Sequence, residues 1–335
     1  MSQLEPEALT PAPAAVVGAG VSKPRKRRRY SLLTRRDKLV LALMVGIPLA
    51  IFLALIWGMA LVSVGLAFTN WDGVQPIKFV GLDNFTQLFT TYPFFWPALA
   101  HNVLWLLVFV GFATPMGILL AVCLDRQMRG SRIYQTIFFT PVVLSLALVG
   151  FIWELQYAPL AANGFIDSAL VNMHLVGAAD APDWLGDSST VFGLPFPISQ
   201  NILAAILAAC WRHIGYIMVL YLAGLKSVDP SLREAAAIDG ANERQTFFHV
   251  VFPVMAPINV VIVVVTVIEA LRAFDIVYII NKGKFGLELL STLITNNSIS
   301  EASLLGFGSA IAVVLLTISL VPIGIYLTRV MRSED

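Results

Sequence analysis

Five charged side chains, Arg212, Glu269, Arg272, Asp275 and Glu154, lie inside long apolar stretches, and any chemistry in this chain starts with the first four. Arg212 sits in NILAAILAACWRHIGYIMVLYLAGL beside Trp211, His213 and Tyr216, and Glu269, Arg272 and Asp275 recur at i, i+3 and i+6 in a second such stretch. An ionisable group in a bilayer costs roughly 2.5–3.5 kcal/mol on insertion scales, so these groups are expected to face a packed interior or a cavity. On one continuous helix the second set shares a face, where Glu269–Arg272 or Arg272–Asp275 pairing is sterically possible. Two readings stand side by side. One is an ion-paired staple between packed helices. The other is a translocation surface on which aromatic rings and charged groups meet a polar, hydroxyl-bearing solute, lined by Trp211, Arg212, Tyr216, Glu269, Arg272 and Asp275. Asn102, Trp105 and Glu154 are further candidates for such a surface.

Other chemistries find no support. Cys123 and Cys210 both fall in apolar stretches, where a thiol packs as a small hydrophobe, and two such cysteines form no disulfide framework. His101, His174, His213 and His249 share no metal-ligand spacing, so no metal site is expected. The chain has no G-x-x-x-x-G-K-[ST] phosphate loop, because Gly283-Lys284 lacks the upstream glycine and the following Ser or Thr. No catalysis and no cofactor are expected in this chain.

The elements that must position these groups follow from composition. The 335 residues are 58% hydrophobic and 13% charged, with a mean hydropathy of +0.79, against roughly 25% charge in a soluble domain. A soluble enzyme and a disordered protein are both excluded. Several apolar runs exceed the ~20 residues needed to cross a bilayer, and in lipid each must be helical because no water satisfies its backbone. The expected fold is all-α: a polytopic membrane protein with six spans at about 39–68, 98–124, 133–157, 200–225, 253–280 and 308–329. Residues 39–335 would form the membrane domain and residues 1–38 a basic, disordered N-terminal segment.

Orientation follows from the basic residues of short loops. Seventeen of the 22 Lys and Arg lie on one side: nine before the first span, Arg126, Arg129 and Arg132 after the second, Lys226, Arg233 and Arg244 after the fourth, and Arg329 and Arg332 at the end. Only Lys78, Lys282 and Lys284 fall in the opposite loops. Both termini are therefore expected on the cytoplasmic side of the membrane. The tract Lys23–Arg29 reads as an anchor on anionic lipid rather than a nucleic-acid contact, and Met1–Ser22, rich in Ala and Pro, as disordered. The first apolar run is too long, and too far from the N-terminus, for a cleaved signal peptide. The external loop between the third and fourth spans, 158–199, carries Asp167, Asp180, Asp183 and Asp187 with no Lys or Arg. It reads either as a docking cap for an extracytoplasmic partner or as a solvated loop.

The cytoplasmic loop at 227–252 is the most legible segment. Asp229 or Ser231 can cap a helix with Pro230 in its first turn, Arg233–Ala237 are good helix formers, and Gly240 permits a left-handed turn. A second short helix from about Asn242 leads to Pro253, which would start or kink the fifth span. Glu234, Ala235, Ala236, Ala237 and Gly240 form a small-residue knob flanked by charge, suited to close contact with a partner groove. An amphipathic helix resting on headgroups is the alternative.

EAAAIDGANERQTFFHVVFP resembles the permease-loop signature of bacterial binding-protein-dependent ABC importers, through Glu234, Ala235, Ala236, Gly240, Val250, Phe252 and Pro253. Val250 and Phe252 depart from the Ile and Leu of that pattern. FTNWDGVQPIKFVGLDNFTQLF (Phe68–Phe89), ALAHNVLWLL (Ala98–Leu107), YQTIFFTPVVLS (Tyr134–Ser145) and LAGLKSVDPSLREAAAIDGA (Leu222–Ala241) are similar to the carbohydrate and glycerol-phosphate branch. NKGKFG (Asn281–Gly286) departs from the Gly-Gly-Pro turn common there.

The resemblance implies a mechanism and partners. Glu234, Ala235, Ala236, Asp239 and Gly240 would form a coupling helix seated on a separate subunit that hydrolyses Mg-ATP, with Pro253 a rigid link into the fifth span. An ATPase dimer, a second homologous permease, an extracytoplasmic solute-binding protein and membrane lipid would be the partners, and nucleic acid would not. The competing expectation is a secondary transporter driven by an ion gradient, with Glu269 and Asp275 as coupling carboxylates. No internal repeat of the kind such folds show is evident.

Overall fold

The computed structural model describes residues 34–125, 130–178, 181–186, 199–300 and 303–333. The N-terminal segment with its basic tract, Arg126, Arg129, Asp180 and Asp187 lie outside the described residues. Two compact units are distinguished, Met1–Ile56 and Trp57–Asp335.

In the first unit, α1 (Arg35–Phe52) opens on a reciprocal cap. The Asp37 N–H donates to Thr34 Oγ1 at 3.2 Å and the Thr34 N–H to Asp37 Oδ2 at 2.9 Å, which satisfies two end donors at once. The apolar side chains of α1, Leu39 and Met44 among them, are exposed.

The second unit is helical throughout its described residues, apart from one isolated bridge between Thr69 and Phe79. Its principal helices are α2 (Met59–Leu66), α3 (Asp83–Thr90), α4 (Phe95–Val108), α5 (Thr114–Asp125), α6 (Ser131–Val143), α7 (Leu146–Gln156) and α8 (Phe165–Asn172). They are followed by α9 (Gln200–Leu225), α10 (Pro230–Ile238), α11 (Glu243–Thr246), α12 (Phe252–Val254), α13 (Ala256–Leu271), α14 (Asp275–Asn281), α15 (Leu290–Thr295) and α16 (Leu305–Ser333). Among the described residues four helices are long and apolar enough to cross a membrane: Arg36–Leu66, Phe95–Asp125, Gln200–Leu225 and Leu305–Pro322. Two bent pairs raise the number to six if each pair is one span. The fold is that of an all-helical, polytopic membrane protein.

The bends fall in the stretches expected as spans at 133–157 and 253–280; a kink at the start of the second is expected from Pro253, and the break in the first is not. Pro141 removes a backbone donor near the end of α6, Leu144 and Ser145 turn extended, and Ser145 Oγ accepts the N–H of Leu148 at 3.2 Å to begin α7. The two axes differ by 100°. In the fifth apolar stretch a 78° bend falls at Met255, ahead of Pro257 in the first turn of α13. The helix then stops at Leu271 and restarts at Asp275. Glu269, Arg272 and Asp275 therefore do not share one continuous helical face.

Helix α9 forms the centre, most of its residues buried and many of them small. Without a hydrophobic drive between helices in lipid, close backbone approach supplies the packing. A Cβ on Gly117 of α5 would lie 2.8 Å from the Ile214 carbonyl, and one on Gly215 2.1 Å from that of Phe138 on α6. Ala205, Ala208 and Ala209 meet Trp105, Phe109, Ile276 and Val277 on one flank. Met218 and Tyr221 meet Ala121, Val251 and Met255 nearer the 226–252 loop.

Candidate functional site

The intramembrane charges converge on one cavity of about 200 Å³. Its walls come from α4, α7, α9, α13 and the 272–276 restart, and include Trp105, Leu146, Arg212, His213, Glu269, Arg272 and Asp275. Glu269 faces α9: Arg212 Nη1 lies 3.5 Å from Oε1 and His213 Nδ1 2.8 Å from Oε2. A carboxylate only accepts, so Nδ1–H of His213 donates. In the neutral ring Nε2 is then an acceptor, and it meets the hydroxyls of Thr114 at 3.3 Å and Thr266 at 3.4 Å. Those two hydroxyls are 3.1 Å apart, and Phe109 stacks on the imidazole at 4.2 Å between centroids. His213 is buried and joins α5, α9 and α13 through side chains alone.

The sequence candidates separate accordingly. Arg212, Glu269, Arg272 and Asp275 line the cavity. Glu269 pairs across to α9, and neither Arg272 nor Asp275 has an ion pair among the described residues. Trp211 is 39% exposed and packs edge-on against Trp153, and Tyr216 leans towards His213 at 6.5 Å; neither is among the lining residues. Trp105 lines the cavity, and its Nε1 and the Nε of Arg212 are buried donors without a partner among the described residues. Asn102 instead accepts the N–H of Leu290 at 2.9 Å, and Glu154 stands apart from the cavity. His213, Thr114 and Thr266 escaped the sequence reading. The signal available was only that Arg212 and His213 adjoin in an apolar run.

A second site occupies the 226–252 loop. Asp229, rather than Ser231, caps α10, its Oδ1 accepting the Ser231 N–H at 2.9 Å, and Pro230 fills the first turn. That hydrogen bond holds the Asp229 carboxyl below its ordinary value. Gly240, at φ +79°, ends the helix in the left-handed region, and Asn242 and Gln245 cap α11 reciprocally. Glu234, Ala235, Asp239 and Gly240 are exposed, whereas Ala236 is buried against its own chain. Pro253, also exposed, lies in α12 just before the bend. Ile238 is 86% exposed on the same helix, an apolar knob beside Glu234 one turn earlier that the sequence reading did not single out. Arg233 turns inward: Nη1 lies 2.8 Å from Asp125 Oδ2 at the end of α5, and Nη2 donates to Leu225 O at the end of α9.

Two further segments are held by polar contacts. Asp167 is 1% exposed and accepts from Trp184 Nε1 at 2.7 Å, so the described part of the 158–199 loop is folded about a polar contact. In the 281–290 turn, Ser199 Oγ donates to Gly286 O, Asn201 Nδ2 to Phe285 O, and His101 Nδ1 to Glu288 O.

Residues 38–332 match the family described as binding-protein-dependent transport system inner membrane component. A probable ABC transporter permease protein (YurN) of Bacillus subtilis is 32% identical, with 82% of this chain and 90% of that one covered. A xylose/arabinose import permease protein (XacH) of Haloferax volcanii is 30% identical, covering 84% and 85%. A crystal structure of a bacterial ABC transporter involved in the import of the acidic polysaccharide alginate superposes with a TM-score of 0.73 at 21% identity, over 89% of this chain and 96% of that one. These likenesses set aside the ion-driven secondary transporter. The chain belongs to the binding-protein-dependent transport system inner membrane components, the permease subunits of ABC importers.

Proposed function

We propose that this permease translocates a carbohydrate. The observation that carries the reading is the cavity, where Arg272 and Asp275 stand without ion pairs among the described residues close to Trp105, Phe109 and Phe274. Aromatic faces beside charged donors and acceptors suit a ring that is apolar on its faces and hydroxylated at its rim. The orphaned donors of Trp105 and Arg212 add hydrogen-bonding capacity. The names of the xylose/arabinose and alginate relatives support the same class.

The cavity of about 200 Å³ is smaller than the ~300–1,000 Å³ usual for a ligand site. A second homologous permease is proposed to supply the facing wall. Six spans, with each bent pair crossing once, would leave both termini and α10 in the cytoplasm, in keeping with the distribution of Lys and Arg. There Glu234, Ala235, Ile238, Asp239 and Gly240 would dock on an ATPase dimer that hydrolyses Mg-ATP, while the buried Ala236 would seat the helix on its own chain and Pro253 would link it to the fifth span. The docked helices would shift the permeases between inward- and outward-facing states. An extracytoplasmic binding protein would deliver the solute.

Purification from native membranes in mild detergent, with mass spectrometry of the co-eluting proteins, tests this. An ATPase and a second permease in stoichiometric amounts are expected, and the accompanying binding protein can then be screened against sugars. A lone oligomer active in liposomes without ATP would overturn the proposal.

A further inference from the structure

We infer that Arg233 is a positioning residue that clamps α10 to the α5–α9 pair, so that a displacement of α10 is delivered along α5 to the His213–Glu269 network at the cavity. The inference rests on the reading of α10 as the segment that docks the ATPase.

At the cytoplasmic end, one guanidinium bridges two helices. Its Nη1 pairs with Asp125 on α5 at 2.8 Å and its Nη2 reaches Leu225 O on α9 at 3.4 Å. The planar fork of arginine suits such a double contact, and a lysine could keep only the point charge. The covalent route from α9 to α10, Lys226–Asp229, is a short non-helical turn. That turn is itself held by the Lys226 N–H to Leu222 O and the Ser227 N–H to Gly224 O, so α10 follows α9 through the chain, and the clamp adds the side-chain link from α10 to α5. A cavity of about 280 Å³ beside it, walled by Val122, Ala237, Ala241 and Phe247, leaves α10 little other contact with α5.

At the far end, α5 begins with Thr114, about 17 Å away along the helix at 1.5 Å per residue. Between the two ends, Gly117 holds α5 against the Ile214 carbonyl with no room for a side chain. Thr114 then meets His213 Nε2 at 3.3 Å, and His213 meets Glu269 at 2.8 Å. Phe109, five residues before Thr114, stacks on the same imidazole at 4.2 Å between centroids. A packed helix bonded at both ends is the contiguous element that coupling between distant sites requires, and a coupling measurement is what establishes it.

The test uses the complex purified from native membranes, with Cys123→Ser to remove the exposed thiol and Ala273→Cys as a reporter in the cavity wall. The rate of maleimide labelling is compared without nucleotide and after trapping with ATP and orthovanadate. Asp125→Asn and Arg233→Met are expected to reduce the nucleotide-dependent change by about fivefold or more, with the double variant no worse than either. Arg233→Lys, which keeps the charge pair with Asp125 and loses the contact with Leu225 O, should retain an intermediate part of the change, and Thr114→Val should weaken it while the ion pair stays intact. The ATPase should co-purify with every one of these variants. A parental response in both Asp125→Asn and Arg233→Met overturns the inference, as does loss in Arg233→Lys equal to that in Arg233→Met. Gly240→Trp separates the two levels. If it abolishes the response while Asp125→Asn preserves it, α10 docks but the clamp does not transmit; if it too leaves the response intact, the docking reading falls and the clamp with it.

Discussion

Glu269 accepts from two donors on α9, so different ways of removing it have different costs. Glu269→Ala leaves the buried Nδ1–H of His213 without an acceptor, and the lost stability is expected to be about 1–3 kcal/mol. Glu269→Gln retains an acceptor and should lose less. Thermal unfolding of the two variants in detergent measures the difference, and equal midpoints would contradict the network. Arg272, by contrast, has no ion pair among the described residues, so Arg272→Ala should change stability by less than about 0.5 kcal/mol. It should weaken solute binding about tenfold, near 1.4 kcal/mol, measured as the concentration of solute-loaded binding protein that half-stimulates ATP hydrolysis. A destabilised Arg272→Ala chain would mark the residue as a structural staple. That these charges matter was legible from the burial of polar residues in apolar stretches. Their pairing was not, because Glu269 finds its partners 56 and 57 residues away on another helix, a distance no local spacing rule spans.

Gly240, just past the end of α10, and Gly215, within α9, are glycines for opposite reasons. At Gly240 a Cβ would meet nothing within 4 Å, and the constraint is φ alone. Gly240→Asn is therefore expected to preserve assembly and transport, since asparagine tolerates the left-handed region. Gly240→Trp should abolish transport while the chain still inserts, because its bulk enters the proposed docking surface. At Gly215 the obstacle is the Phe138 carbonyl, and Gly215→Ala should separate α6 from α9 and lower the yield of folded protein. The Asp229 cap adds a pH dependence. Its carboxyl is held below the ordinary 3.8, so its contribution is complete above that value and fades as pH falls through the lower folded one. A spin label at Ile238→Cys should become more mobile over that acidic range, and Asp229→Asn should flatten the response. The caps of α10 and α11 were readable because they depend on four or five adjacent residues. The break at Leu144–Ser145 was not, since Pro141 alone permits either a kinked or a severed helix.

For the molecule as a whole, topology gives a direct check. With six crossings, Ile238→Cys should react with an impermeant maleimide only from the cytoplasmic side and Phe285→Cys, 70% exposed, only from the other. Labelling of both from one side would require an even number of crossings between them. The number and approximate extent of the apolar stretches could be read from hydropathy, whereas their bends and the central place of α9 depend on which stretches pack together. One of those bends bears on how the protein is made. Helices α6 and α7 have 13 and 11 residues and diverge by 100°, so neither reaches the ~20 residues that let a segment leave the translocon into lipid unaided. The polar backbone exposed at Leu144–Ser145 needs protein around it at membrane depth, and α6 finds its cover in Gly215 of a helix synthesised some 60 residues later. A ribosome-bound chain truncated before α9 should therefore hold this stretch at the translocon, and its release into the bilayer should await the arrival of α9.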